Sequence, residues 1–276
     1  MEALKEGEKI NFNLSPTSLN TYYQSPLLFY LTYIAKVPDD TPVPVCYGLS
    51  GNIVHNCLEK YAKGELDLDG TCINLASLWE KYNLNFHKDL KGELLNKEEY
   101  LRALLSGISI IDKHESHICE ENISFTFTED EKFKIGVKGV IDLQTRQKSD
   151  NNLVIIDYKT SNSVKIGRDF ERQALFYNYL LYKQKNLIPS KTIFHYLKLG
   201  IPKIYNITIE DVRIFEDELI NIANQIISLG TNIANYPIGY IYDTFNSKKQ
   251  ACINEIAKRK ALADQIGLIR LELDGF

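Results

Sequence analysis

Gly139-Val140-Ile141-Asp142 and, after the polar turn Lys148-Ser149-Asp150-Asn151-Asn152, Val154-Ile155-Ile156-Asp157-Tyr158-Lys159-Thr160 decide how this chain folds. Both runs are apolar and strand-like, and each ends in an acid. Side chains alternate along a strand, so Asp157 and Lys159 share one face and Tyr158 takes the other. The continuous run Val154-Ile155-Ile156 is expected of a strand covered on both sides. An acid and a lysine at the end of such a strand are costly unless they bind something. Two carboxylates beside a lysine suit a hard divalent cation acting on phosphate. A lone D-x-K on a strand is commonly a surface ion pair, so its neighbours have to carry the reading.

Upstream, Gly51-Asn52-Ile53-Val54-His55-Asn56-Cys57-Leu58-Glu59-Lys60-Tyr61 reads as the start of a helix. Val54, Leu58 and Tyr61 form an apolar stripe, and His55 and Glu59 share an adjacent face at i, i+4. His55 is thus either a packed core residue or a ligand. Downstream, Gln173 and Tyr177 stand one helical turn apart, on a polar helix face or in a site.

In this order the pieces resemble the RecB-type branch of the PD-(D/E)xK nuclease superfamily, in particular a cluster-less relative of its CRISPR-associated and AddB-like exonucleases. The carriers are Gly51-Asn52-Ile53-Val54-His55, Gly139-Val140-Ile141-Asp142, Asp157-Tyr158-Lys159-Thr160 and Gln173-Ala174-Leu175-Phe176-Tyr177. Ser15-Pro16-Thr17-Ser18-Leu19-Asn20-Thr21-Tyr22-Tyr23-Gln24-Ser25-Pro26 is similar to the branch's opening segment. The resemblance implies His55, Asp142, Asp157 and the Tyr158 carbonyl as ligands of Mg²⁺ or Mn²⁺. It implies Asp142, Asp157 and Lys159 as catalytic residues. Gln173 and Tyr177 would lie near the scissile strand, with Arg168 or Arg172 on a phosphate. Glu121 and Glu59 are further acids to consider, although strand-edge acids are usually only solvated. The activity implied is a metal-dependent deoxyribonuclease, more an exonuclease than an endonuclease, on DNA ends or single strands in recombination, repair or mobile-element DNA processing. Two alternatives stay open: an inactive nucleic-acid-binding subunit, and a nuclease active only beside a helicase, in a recombination complex or in CRISPR adaptation.

The chain departs from the branch at Ser25, where a cysteine is frequent, and near Cys252, which has no C-x-x-C companion. The five cysteines lie at 46, 57, 72, 119 and 252 without ligand spacing, so no iron–sulfur cluster is expected. Apolar packing of Leu19, Tyr22 and Phe29 on Ile253 and Ile256 of a last helix is expected to join the chain ends instead.

Aliphatic, aromatic and cysteine residues make up 44% of the 276, enough for a full core. No run approaches a membrane span, and the acidic opening lacks an apolar signal core. With scattered cysteines this points to a reducing, cytoplasmic setting. Abundant Asn, Ile and Lys suggest an AT-rich source, phage or mobile DNA. The net charge is −4, but residues 151–203 hold nine basic and three acidic residues, and 248–270 hold six and two. A basic, site-bearing half suits a phosphate-binding groove.

The expected fold is α/β: a PD-(D/E)xK restriction-endonuclease-like core with a mixed central sheet flanked by helices. It forms a single RecB-like domain over 1–276, with a helical insertion at about 75–118 covering the site and a C-terminal helical segment at about 210–266. Strands are expected at 121–128, 132–146, 191–199 and 203–209, and helices at 26–35, 51–63, 168–186, 210–235 and 247–266.

Overall fold

The computed structural model describes residues 9–164 and 167–265, of which the Gln265 side chain is left aside. In order the elements are β1 (Ile10–Leu14), α1 (Pro16–Gln24), α2 (Pro26–Phe29) with a π-helical turn at Tyr30–Ile34, α3 (Cys46–Ala62), α4 (Leu68–Lys81), α5 (Lys97–Ile111), β2 (His114–Glu129), β3 (Phe133–Gln147), β4 (Leu153–Lys159), α6 (Arg168–Lys185), β5 (Lys191–Tyr196), β6 (Ile201–Tyr205), α7 (Ile209–Leu229) and α8 (Lys249–Gln265). The chain forms two compact units, each discontinuous in sequence: 1–43 with 124–138 and 217–276, and 44–123 with 139–216. Lys165, Arg270 and the final residue of the expected last helix, 266, fall outside the described residues.

The second unit holds the two opening motifs. β3 and β4 pair antiparallel from Arg146–Leu153 to Leu143–Ile156. β4 pairs parallel with β5, and β5 antiparallel with β6. The sheet is therefore mixed, as expected, and α6 is the crossover that a parallel β4–β5 pair demands. Val154, Ile155 and Ile156 are fully buried, so the continuous apolar run does mark a strand covered on both faces.

One cover of β4 is the helical stretch expected at 75–118. That stretch is core rather than a cover over the acids. Trp79, Tyr100, Leu104 and Ile108 from α4 and α5 pack with Ile53, Val54 and Leu58 of α3 and with Val154, Ile156 and Tyr158 of β4. β2 also begins at His114, seven residues before the expected strand start. The sequence marks this stretch as helical but not what it packs against. On the other side, α6 lies against β3 at Gly139, where an added Cβ would stand 2.5 Å from Leu180 Cδ1. That close approach explains the glycine of the G-x-x-D motif.

In the first unit, β1 runs parallel to the opening of β3, from Ile10–Phe133 to Leu14–Val137. Ser15 caps α1 in a capping box with Ser18, and Pro16 opens the helix. Phe29 packs edge-on against Phe12 and Tyr22 at centroid distances of 5.5 and 5.3 Å. Ser25 is buried, caps α2 through Leu28 N–H at 3.1 Å, and donates to the Ile238 carbonyl.

Polar contacts tie the N-terminal segment to the start of α8. Of the two apolar residues of α8 expected to pack there, Ile253 is exposed and Ile256 half-buried. Asp40 accepts from Gln250 N–H and Ala251 N–H at 3.1 and 2.7 Å, and Asp39 holds Lys248 Nζ at 2.7 Å. A helix start offers unpaired N–H groups and a positive dipole end, which a carboxylate satisfies.

No helix among the described residues is long and apolar enough to cross a membrane.

Candidate active site

The β3–β4 ladder pairs Leu143 with Ile156, and Asp142 and Asp157, the next residue on each strand, line the same cleft. Asp142 Oδ2 accepts the Tyr158 N–H at 2.8 Å and lies 3.3 Å from His55 Nδ1. Helix α3 delivers His55, whose ring meets Tyr158 edge-on at 5.9 Å. The Tyr158 side chain points away from the acids into the core, as alternation requires.

Asp157 is 2% exposed. Its Oδ1 accepts from Tyr177 OH at 3.0 Å and Gln173 Nε2 at 3.2 Å. Its Oδ2 has Lys159 Nζ at 2.6 Å, at an angle that makes an ion pair without a hydrogen bond. Lys159 Nζ donates instead to Gln173 Oε1 at 3.0 Å, near the rings of Phe194 and Phe170 at 4.9 and 5.3 Å. Gln173 and Tyr177 thus join β4 to α6 from one helix face.

Sequence reasoning missed one acid. Ligand atoms of His55, Glu120 and Asp142 lie within 4.8 Å of one another. The neighbouring Glu121, singled out from the sequence, is turned elsewhere, bound by Lys185 Nζ at 2.6 Å and by the Gln144 amide. Backbone geometry explains the exchange. Glu120 has φ 51° and Ser116 φ 59°, in the left-handed region where non-glycine residues are rare. Such residues bend a strand as bulges do and reset which side chain faces which way. The available signal was the adjacent pair Glu120-Glu121 in a long polar strand.

An open cleft of about 470 Å³ is lined by His55, Glu59, Glu120, Asp142, Asp157 and Lys159, with Asn52, Asn56, Gln173 and Tyr177 also in its wall. Glu59 is also paired with Lys63. Arg168 is exposed and Arg172 pairs with Asp169; neither lines the cleft. No residue of 75–118 lines it either.

The acids perturb one another. Burial alone would pull the His55 imidazolium down, but facing Asp142, with Asp157 and Glu120 nearby, raises it to about 9. Burial, then the Asp142 charge, pushes Glu120 up to about 7. Asp142 resists the upward pull of burial and is held low by the His55 charge and by its hydrogen bonds. Asp157 goes up, chiefly by burial. Crowded acids of this kind, with one buried oxygen left without a hydrogen bond, fit a cation. The donor set of one imidazole and carboxylates suits a hard divalent ion.

The family model described as PD-(D/E)XK nuclease superfamily matches residues 13–240 of this chain. The chain belongs to that superfamily. This PD-(D/E)XK nuclease is also 26% identical over 204 residues to one subunit of the ATP-dependent helicase/deoxyribonuclease of Streptococcus mutans, a match over 69% of the chain but only 18% of that relative. The crystal structure of a candidate exonuclease from Eubacterium rectale superposes with a TM-score of 0.44 at 12% identity, over 86% of this chain and 90% of the other. All the acids of the cleft lie within the span matched by the family model.

Proposed function

We propose that this PD-(D/E)XK nuclease is a divalent-cation-dependent deoxyribonuclease, acting as an exonuclease on DNA ends or single strands. One observation carries the reading: His55, Glu120 and Asp142 converge beside an Asp157–Lys159 pair in one open cleft. His55, Glu120 and Asp142 would hold Mg²⁺ or Mn²⁺, with Asp157 Oδ2 the adjacent oxygen free of hydrogen bonds. Such a cation supplies Lewis acidity and offsets phosphate charge.

The chain's own groups do the rest. Lys159 is a fixed cation at the cleft and would stabilise charge that develops on the phosphate oxygens. Gln173 and Tyr177 hold the Asp157 carboxylate by two hydrogen bonds, and Gln173 also orients Lys159. The choice of DNA, and a role in recombination or repair beside a helicase, draw support from the helicase/deoxyribonuclease relative. The chain spans 18% of that protein's length, so its partners and substrates are carried over as proposals. The exonuclease mode rests on the resemblance of the motifs to RecB-type enzymes.

End-labelled single- and double-stranded DNA incubated with Mn²⁺, with product length followed over time, tests this directly. Progressive shortening from an end that stops in excess EDTA is the expected result. No cleavage of any DNA with Mg²⁺ or Mn²⁺ overturns the nuclease reading, and internal fragments at early times overturn the exonuclease mode.

A further inference from the structure

Three large aromatic side chains stand exposed on one short loop of the first unit. Tyr240, Tyr242 and Phe245 are 50%, 61% and 51% exposed, and the Tyr240 and Tyr242 rings stand 6.2 Å apart edge to face. The backbone beneath them is pinned. Ile241 between the two tyrosines is buried, and its carbonyl accepts from Asn246 Nδ2 at 2.8 Å. Tyr240 N–H donates to the Gln24 carbonyl at 2.8 Å, and Ser25 Oγ to the Ile238 carbonyl. Gly239, at φ 65°, sits where a Cβ would run into the Gln24 carbonyl oxygen, so no other residue fits this close crossing. Two rings are therefore exposed on a loop whose backbone is fixed at several points.

A second observation lies in the same unit. A groove of about 590 Å³ is lined by Asn221, Asn224, Gln225 and Ser228, at helical spacing along one face of α7, with Leu229, Pro237 and Tyr22, whose hydroxyl donates to Gln225 Oε1 at 3.2 Å. Amides donate and accept without charge, which suits the edges of bases better than phosphates. Pro237 belongs to the same loop as the tyrosines, and Tyr22 to the helix whose last residue, Gln24, bonds to Tyr240. Lys249 Nζ lies over the Tyr242 ring, 5.6 Å from its centre, and adds a cation on that side.

We propose that the loop 237–245 is a stacking platform for the bases of single-stranded nucleic acid, with the amide groove of α7 receiving base edges. Aromatic rings stack on every base and so hold single strands with little sequence preference. Duplex DNA keeps its base faces covered and is not a ligand of such a platform. The choice of nucleic acid rests on the nuclease reading above.

The test is fluorescence anisotropy of a labelled oligothymidylate with the full chain in EDTA, so that no cleavage intervenes, in parallel with a duplex. Tyr240→Ala and Tyr242→Ala should each weaken single-strand binding roughly tenfold or more. Tyr242→Phe should keep it, and Tyr242→Leu, which retains bulk without a π-face, should lose it. Salt dependence should not change in these variants, because no phosphate contact is removed. Circular dichroism guards against misfolding, and Tyr242→Leu remains informative if an alanine variant unfolds. Alanine or leucine variants that bind like wild type, or an equal loss on duplex, overturn the platform while Mn²⁺-dependent cleavage keeps the nuclease reading intact. A wild type that neither binds nor cleaves any DNA overturns both.

Discussion

A Cβ added to Gly51 would lie 3.0 Å from Thr160 Oγ1, so helix α3 and the residue after strand β4 meet too closely for a side chain unless Thr160 gives way. This contact sets the depth at which His55, one turn along α3, faces Asp142. It gives a packing reason for the glycine that opens G-x-x-x-H and for its partner threonine after D-x-K. Gly51→Ala asks Thr160 to yield by a few tenths of an ångström; Gly51→Val asks for more. Misplacement by about 1 Å can cost 10²-fold in rate. Cleavage by Gly51→Val should fall by about that factor while thermal stability changes far less. Wild-type turnover in Gly51→Val would refute the spacing role.

Glu120 and Glu121 should behave as opposites. Glu120→Gln removes a charge from the His55–Asp142 cluster and should weaken Mn²⁺ binding and cleavage on the order of 10-fold to 100-fold, the range seen when groups around a metal are altered. Glu121→Gln breaks only the link to Lys185 and Gln144. It should leave cleavage within a fewfold. Calorimetric Mn²⁺ titration with single-turnover rates checks both, and equal effects would sink the assignment of Glu120.

Protonation of the cleft should be visible in the metal-free protein. His55 is raised from 6.5 to about 9, and Glu120 from 4.5 to about 7. A raised pKa means the folded chain binds the proton more tightly than the unfolded chain. The stabilisation is full below the unfolded value and is lost as pH rises through the folded one, over 4.5–7 for Glu120 and 6.5–9 for His55. The melting temperature in EDTA should thus fall from pH 6 to pH 9, and fall less in His55→Asn. A cation must displace the same protons, so apparent Mn²⁺ affinity should rise over that range. A flat or rising melting curve in EDTA would contradict this account of the cluster.

Much of this was legible in the sequence, and the exceptions have physical causes. The buried run before Asp157 marked β4, because a strand covered on both faces must be apolar on both. The alternation of Asp157, Tyr158 and Lys159 gave the facing of each, and the helical spacing of Gln173 and Tyr177 put both on one side of α6. Glu120 was not legible, because period two fails across residues with positive φ. The role of α4 and α5 was not legible either. A helical stretch is equally consistent with a lid and with the core that α4 and α5 in fact form, and only β4 beneath them decides. Asp40 at the start of α8 was not legible either, because a carboxylate that meets backbone N–H groups leaves no periodic signal in the sequence.

Lys159 is held by more groups than its charge needs. Asp157 stands 2.6 Å away, Gln173 Oε1 accepts from it at 3.0 Å, and the rings of Phe194 and Phe170 lie at 4.9 and 5.3 Å. Such a surround fixes a flexible side chain before substrate arrives, which is what charge stabilisation in a transition state requires. Lys159→Ala should lower the single-turnover cleavage rate by about 10² or more, typical of losing one such donor, with Mn²⁺ affinity and DNA affinity within a fewfold of wild type. Lys159→Arg should not restore the rate, because a planar fork cannot occupy a niche shaped beside two rings for a compact ammonium. Gln173→Leu should show a milder loss of the same kind, since Asp157 and the two rings still hold the lysine. If Lys159→Ala instead abolished DNA binding while the few molecules bound were cut at the wild-type rate, the lysine would be a phosphate anchor and its role in the chemical step would be refuted.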